Sequence, residues 1–255
     1  LRFNSSVSKD EKELVSLEDY VGRMKKDQKE IYYSLGNSKE AIDLNPHLEI
    51  FKAKGLEVLY LYDPVDEFVV SSIRKHKDFD FKSVDGVNLK DLEKLEDVEK
   101  NEEPKEKFSK EDDKAFGKLL LKMKEILGDR VTEVHESKRL KGSPSCLINP
   151  DDTMSSTMQK ILKMSNQGMA MPPQKRLMEI NKDHKLIKNL MNVFKKNESD
   201  QFIADTTEQL YESALLLEGN LEDPHKLVNR LNKMLTDASE LYVASPSPSK
   251  GGEQK

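Results

Sequence analysis

The first hundred residues alternate between short apolar runs and segments with helical periodicity. Residues 30–35 (EIYYSL) are aromatic and β-branched, and the continuous apolar run 56–62 (LEVLYLY) is typical of a strand buried on both faces. A third strand is predicted over 79–84, and helices over 39–44, 46–54 and 65–73. This alternation predicts a small three-layer α/β unit with a mainly parallel sheet.

Capping residues mark several helix ends in this unit. Ser16 is placed to cap a helix, with Asp19 in the acidic position of a capping box. Ser38 is placed to cap the next helix. Pro46 suits the first turn of the following helix, and Gly55 suits its end.

Residues 88–114 are almost all Lys, Glu, Asp and Asn, which predicts a solvated helix or a hinge and not core. A second unit follows, with a helix over about 105–127, short strands over 131–136 and 145–148, and further helices over about 154–166, 184–196, 200–218 and 224–241. The polar end of the chain, 245–255 (SPSPSKGGEQK), is predicted to be unfolded.

The pattern therefore predicts an α/β unit followed by an α+β, mostly helical unit with a short sheet. The first spans residues 1–104, including a charged connector at about 88–104. The second spans 105–241, and residues 242–255 are expected to form a disordered tail.

Composition excludes several classes of function. The net charge is -5, with interspersed acidic and basic residues, and there is no Trp; neither property suits a nucleic-acid-binding protein. No run of 18 apolar residues predicts a membrane span, and no secretory signal opens the chain. The single cysteine, Cys146, predicts a reducing, cytoplasmic compartment. Because the chain starts at Leu1 and not at Met, we expect a fragment of a longer protein.

The motifs of common enzymes are missing from the sequence. It has no Gly-rich phosphate loop and no dinucleotide fingerprint, and its five histidines are scattered singly, so neither a nucleotide site nor a zinc site is predicted. Asp63, Asp66 and Glu67 follow a strand and could form a carboxylate cluster. We interpret them as a helix cap and first-turn charges.

Methionines cluster in one segment: six of the ten lie within 154–178. On the predicted helix, Met154, Met158, Ile161 and Leu162 form one apolar stripe, with Met164 at its shoulder. Such a stripe often faces a protein core. Methionine-rich surfaces, however, recur where one protein binds many partners.

The last two predicted helices carry more apolar surface than one small core needs. Self-association into a four-helix bundle is therefore predicted, while an intrachain hairpin stays open as an alternative. The candidate interface residues are Ile203, Leu210, Ala214, Leu217, Leu227, Leu231 and Leu235.

A set of ordered motifs resembles the heat shock protein 90 family, most closely its bacterial HtpG-type branch. The motifs are residues 16–21 (SLEDYV), 31–33 (IYY), 55–59 (GLEVL), 63–67 (DPVDE), 137–140 (SKRL), 170–175 (AMPPQK) and 221–224 (LEDP). Each is weak alone, but their order along nearly the whole chain is specific.

The resemblance implies the end of the middle domain plus the C-terminal dimerisation domain of an ATP-driven, homodimeric chaperone of the stress response. ATP and magnesium would bind in a domain outside this chain, so no catalytic residue, cofactor or metal is expected here. The methionine stripe matches the family's client-contacting helix, and the last two helices match its dimer bundle. The tail lacks the acidic peptide that recruits helical-repeat co-chaperones, so none is expected.

Two other hypotheses stay open. The chain could be a dimeric scaffold that binds no clients, which only a client assay distinguishes. Alternatively, it could be a small-molecule-binding α/β enzyme with its ligand near residues 63–67, which predicts saturable binding there.

Overall fold

The structure is a computed structural model that describes residues 1–10, 12–87, 89–92, 94–95, 98, 108–149 and 176–244. Its first unit is built on a six-stranded sheet. The strands are Arg2–Ser5 (β1), Val15–Ser16 (β2), Glu30–Leu35 (β3), Leu59–Leu61 (β4), Lys75–His76 (β5) and Phe79–Ser83 (β6). Their order across the sheet is β2-β1-β4-β3-β6-β5.

The three predicted strands pair in parallel, as expected, but the full six-stranded sheet is mixed. Strand β3 pairs in parallel with β4 and with β6, but the other pairings are antiparallel. The difference comes from the short strands β1, β2 and β5, which carry too few residues for a periodic signal. Strand β5 joins β6 through a tight turn in which Lys77 has a φ of 54°.

Helices cover both faces of this sheet. They are Leu17–Arg23 (α1), Lys39–Asp43 (α2), Glu49–Ala53 (α3), Pro64–Ile73 (α4) and Leu89–Leu92 (α5), with a 3-10 turn at Pro46–Leu48 just before α3. The capping box of Ser16 and Asp19 and the cap at Ser38 are confirmed. Gly55 follows α3 with a φ of 58°, which favours glycine.

Alternate residues of the central strands enter different cores, which confirms the three layers. Ile31 and Leu59 pack in one cluster together with Tyr20 of α1. Tyr32 and Tyr60 pack in the cluster on the opposite face. Both faces of the central strands are therefore buried, as the continuous apolar run predicts.

The charged stretch after β6 contributes to the core, contrary to the prediction. Leu92 of α5 is fully buried and Leu95 is 6% exposed. Both belong to the cluster that contains Tyr32. Leu89 and Leu92 are three residues apart on α5 and share one of its faces, and Leu95 follows in the bend after the helix.

The second unit is built on a three-stranded sheet with helices packed against it. Its elements are Lys110–Leu127 (α6), Val131–Glu136 (β7), Ser145–Ile148 (β8), Arg176–Ile180 (β9), Lys185–Lys196 (α7), Gln201–Leu217 (α8) and His225–Ala244 (α9). Strand β9 lies between the other two, parallel to β7 and antiparallel to β8. The two predicted strands therefore do not pair with each other, and the strand that joins them was not predicted.

Helix boundaries in this unit differ from the predictions at two points. Helix α6 begins at Lys110, not near 105, because Ser109 and Asp112 form a capping box there. Helix α9 continues through Ala244, so residues 242–244 are helical although the sequence pattern places them in a tail. No helix in the described ranges is long and apolar enough to cross a membrane.

Candidate functional site

Helix α9 packs very little against its own chain. It has 20 residues, yet Leu227 is its only buried apolar side chain in the described part of the chain. Helices in proteins depend mainly on burying an amphipathic face against a neighbour. The apolar face of this long helix is therefore left exposed by its own chain.

That face is a continuous stripe with coiled-coil spacing. Val228, Leu231, Leu235, Ala238 and Tyr242 follow one another at intervals of three, four, three and four residues. Their four large side chains are 45%, 42%, 59% and 84% exposed, in chain order. A repeat of 3.5 residues is the pattern by which one helix packs along another. We call these five residues the α9 stripe.

Two ion pairs attach α9 to α8 on a different side of the helix. The Arg230 guanidinium donates to the Glu212 carboxylate at 2.8 Å, and both side chains are nearly buried. Lys233 donates to Asp205 at 3.0 Å nearer the surface. These contacts orient α9 on its own chain while the α9 stripe stays open.

The predicted interface residues fall into two groups. Ile203, Leu210 and Ala214 pack in the core of their own chain. Leu227 is also buried, as described above. The exposed group consists of Leu217, Leu231 and Leu235. The sequence prediction did not include Val228 or Tyr242; the 3-4 spacing continues through both and could have identified them.

The predicted client-contacting residues Met154, Met158, Ile161, Leu162 and Met164 lie outside the described residues. The strands on either side of that segment are placed. Strands β8 and β9 are antiparallel neighbours, with Ile148 opposite Leu177. The segment therefore leaves and re-enters the same end of the three-stranded sheet.

Charged side chains are buried near both ends of the three-stranded sheet. Arg139 pairs with Glu179 at 3.1 Å, with side chains only 4% and 8% exposed. The Ser137 hydroxyl donates to the same carboxylate at 2.6 Å. Arg176 pairs with Glu218, the residue that ends α8, and burial raises the pKa of Glu218 while Arg176 opposes that shift. The second unit thus contains two largely buried ion pairs beside its hydrophobic core.

His47 is buried where the first unit meets the second. Its ring donates a hydrogen bond to the carbonyl of Leu147, while Nδ1 has no hydrogen-bond partner. Burial first, and then the charge of Arg139, lower its pKa from 6.5 to about 4, although Asp85 opposes the shift. The imidazole is therefore neutral at pH 7.

Because His47 has a lower pKa when folded, the unfolded chain takes up its proton first as the pH falls. The His47 contribution to stability is present above pH 6.5 and is lost as the pH falls toward 4. Between pH 7.5 and 5 we expect it to reduce the free energy of unfolding by about 2 kcal/mol. Urea unfolding at both pH values, for the wild type and His47→Gln, measures this; equal pH dependence in both would contradict it.

The carboxylates near the end of β4 have structural roles. Asp63 caps α4 by accepting a hydrogen bond from the backbone N–H of Val65 at 2.9 Å, as interpreted from the sequence. Asp66 and Glu67 lie in the first turn of α4, as interpreted from the sequence, and Glu67 is only 2% exposed. Among the described residues, no three His, Cys, Asp or Glu side chains are grouped to hold a metal ion. Cys146 is buried, and burial raises the pKa of its thiol.

Comparison with known proteins gives consistent matches along the chain. The family model described as Hsp90 protein matches residues 1–254. The chain is 46% identical over 243 residues to Chaperone protein HtpG of Oleidesulfovibrio alaskensis, which covers 95% of this chain and 38% of that protein. It is 38% identical to the HtpG of Nitratidesulfovibrio vulgaris (96% and 38% covered) and 37% identical to that of Treponema denticola (89% and 34% covered). The chain thus spans a little over one third of the length of these relatives.

Proposed function

Because this chain belongs to the Hsp90 protein family, we propose that it is the self-associating, client-contacting part of a molecular chaperone. The observation that carries the proposal is the α9 stripe. An exposed apolar face with a 3-4 repeat, on a helix with little packing of its own, suits association with the same helix of a second copy. The bundle would then contain α8 and α9 from each protomer.

The free energy of apolar burial is large enough for a second copy of the chain to bind at the α9 stripe. A partner helix would cover at least the large exposed side chains of Leu231, Leu235 and Tyr242. Fully burying a large apolar side chain stabilises by roughly 1.5–3 kcal/mol, and a two-fold dimer counts each residue twice. Association costs on the order of 4–15 kcal/mol, so a dimer that can reopen is expected.

Client contact is proposed for the methionine-containing stripe of residues 154–164. Its support is the residue chemistry, since flexible thioether side chains adapt to many apolar partners. The chain enters this segment after β8 and leaves it before β9, and these two strands are antiparallel neighbours. A dimer presents two such segments, which increases avidity for one unfolded client.

No ATP chemistry is placed on this chain in the proposal. ATP binding and hydrolysis are assigned instead to the part of the family's length that the chain does not cover. A cytoplasmic location belongs to the proposal too, and the lone buried thiol of Cys146 supports it.

Replacing Met158 and Leu162 with serine is expected to weaken client holding. The double variant should need several-fold more protein to suppress aggregation of a denatured client, measured by light scattering, because two adaptable apolar contacts are lost per protomer. The matched control is Leu44→Ser/Leu121→Ser, whose leucines are 76% and 72% exposed elsewhere.

The two variants separate the hypotheses. Equal loss in the client variant and the control would show that holding is a property of apolar surface in general. No holding by the unmodified chain would favour the second candidate, a dimeric scaffold without client binding.

A further inference from the structure

The two units meet at a small polar contact centred on one carboxylate. Glu49 is the first residue of α3 in the first unit. Its Oε2 accepts hydrogen bonds from the backbone N–H groups of Lys141 and Gly142, the second at 2.9 Å. Its Oε1 accepts from the N–H of Ser143 at 2.9 Å and from the Ser143 hydroxyl at 2.5 Å. Four donors of the second unit therefore converge on one side chain of the first.

The receptor for Glu49 is three successive backbone N–H groups, an arrangement that binds anions. The hydroxyl of Ser137 fixes one side of this loop by accepting from the N–H groups of Arg139 and Leu140. Asn181, after β9, fixes the other side by donating to the carbonyl of Ser143 at 3.0 Å. The loop thus belongs rigidly to the second unit.

Glu49 is held just as firmly by the first unit. Asn45 caps the 3-10 turn before α3 with a side-chain hydrogen bond to the N–H of His47. The flanking side chains of Leu48, Ile50 and Phe51 are all buried in the core cluster of the first unit. Movement of Glu49 away from the loop therefore means movement of one unit relative to the other.

Two nearby contacts join the same surfaces. His47 donates to the carbonyl of Leu147 in β8, as described above. Asn149 donates to Asp85 of the first unit at 3.3 Å. Each supplies one hydrogen bond, whereas Glu49 accepts four, so the Glu49 contact is the strongest polar link among them.

The Glu49 contact can open without burying unsatisfied groups. Lys141 and Gly142 are exposed and Glu49 is only half-buried, so water can replace the hydrogen bonds on both sides. The neighbouring contacts of His47 and Asn149 are buried, at 3% and 7% exposure, so opening them would leave donors without partners; they hold the two units together while the Glu49 contact opens. We propose that Glu49 and residues 141–143 form a releasable joint that fixes the relative orientation of the two units when docked and lets them pivot when open.

The test is a distance measurement between the units. Spin labels on cysteines at Glu40 of α2 and Leu121 of α6, both exposed, report the orientation by pulsed electron paramagnetic resonance. The labelled chain is mixed with an excess of unlabelled chain, so that a dimer contains at most one labelled protomer and only distances within one chain are measured. A narrow distribution is expected for the wild type. Glu49→Ala is expected to give a broader distribution, and Glu49→Gln, which loses the charge and keeps the shape, an intermediate one.

Amide hydrogen exchange separates a joint from a fold-stabilising contact. In Glu49→Ala, exchange at residues 141–143 is expected to be at least tenfold faster, while the amides of β9 keep their protection. The control Glu198→Ala removes an exposed carboxylate that pairs with Lys118 and should change neither measurement. An unchanged distance distribution in folded Glu49→Ala and Glu49→Gln would overturn the proposal, as would loss of β9 protection in both variants.

Discussion

Replacing Leu231 and Leu235 with aspartate is expected to turn a dimer into a folded monomer. Both leucines lie in the α9 stripe, at 42% and 59% exposure, so the substitutions add charge to a surface that is open in the single chain. In a dimer the same positions would be buried, and four carboxylates would lose water. Losing about half of the burial energy of four leucines weakens association by at least roughly 3 kcal/mol, or more than about 100-fold in Kd.

The measurement is light scattering coupled to size-exclusion chromatography, with circular dichroism to confirm the fold. Leu210→Asp is the informative comparison. Leu210 was predicted for the interface, but it is 5% exposed and packs in the core of its own chain. We expect that variant to unfold and the α9 variant to stay folded. A double variant that keeps the dimer mass would exclude the α9 stripe as the interface.

Removing the Arg139 side chain is expected to destabilise the second unit by about 3–5 kcal/mol. Its partner Glu179 is 8% exposed in the ion pair, so Arg139→Ala leaves a carboxylate in a low-dielectric site without its counter-charge. The Ser137 hydroxyl bond to Glu179 compensates only in part. Urea unfolding measures the loss as a lower midpoint with an unchanged slope.

Two further variants show whether burial of the charges causes the loss of stability in Arg139→Ala. Lys118→Ala breaks an ion pair whose side chains are 55% and 61% exposed, and it should cost less than about 1 kcal/mol. Arg139→Met/Glu179→Leu removes both buried charges and should recover much of the stability that Arg139→Ala loses. If Lys118→Ala lowered the free energy of unfolding as much as Arg139→Ala does, burial of the ion pair would not be the cause.

Local sequence signals predicted the local structure well. Ser16, Ser38 and Asp63 each cap the helix predicted for them, because a cap needs only residues that are close in sequence. The continuous apolar run that contains β4 is buried in the sheet centre. These features depend on side-chain chemistry within a few residues.

The features that were missed depend on contacts between distant residues. Strand β9 has five residues, and its partners are β7 and β8, separated from it along the chain. The short strand β1 pairs with β4, far along the chain, and β2 pairs with β1. The Glu49 joint links residues more than 90 positions apart, so no window of sequence reports it.

The candidate site shows the same limit. The sequence identified apolar faces on α8 and α9 but not which partner each face meets. Ile203 and Leu210 meet the core of their own chain, whereas Leu231 and Leu235 stay exposed. Burial in the folded chain separates the two groups, and the pattern of apolar residues alone cannot.

Sedimentation equilibrium of the unmodified chain over about 1–100 µM measures self-association without any substitution. We expect the mass to rise with concentration from 29.2 kDa to twice that value, because the α9 stripe of one copy covers that of another. A mass that stays at 29.2 kDa up to the highest concentration would contradict self-association through α9, and the chaperone dimer proposed on it.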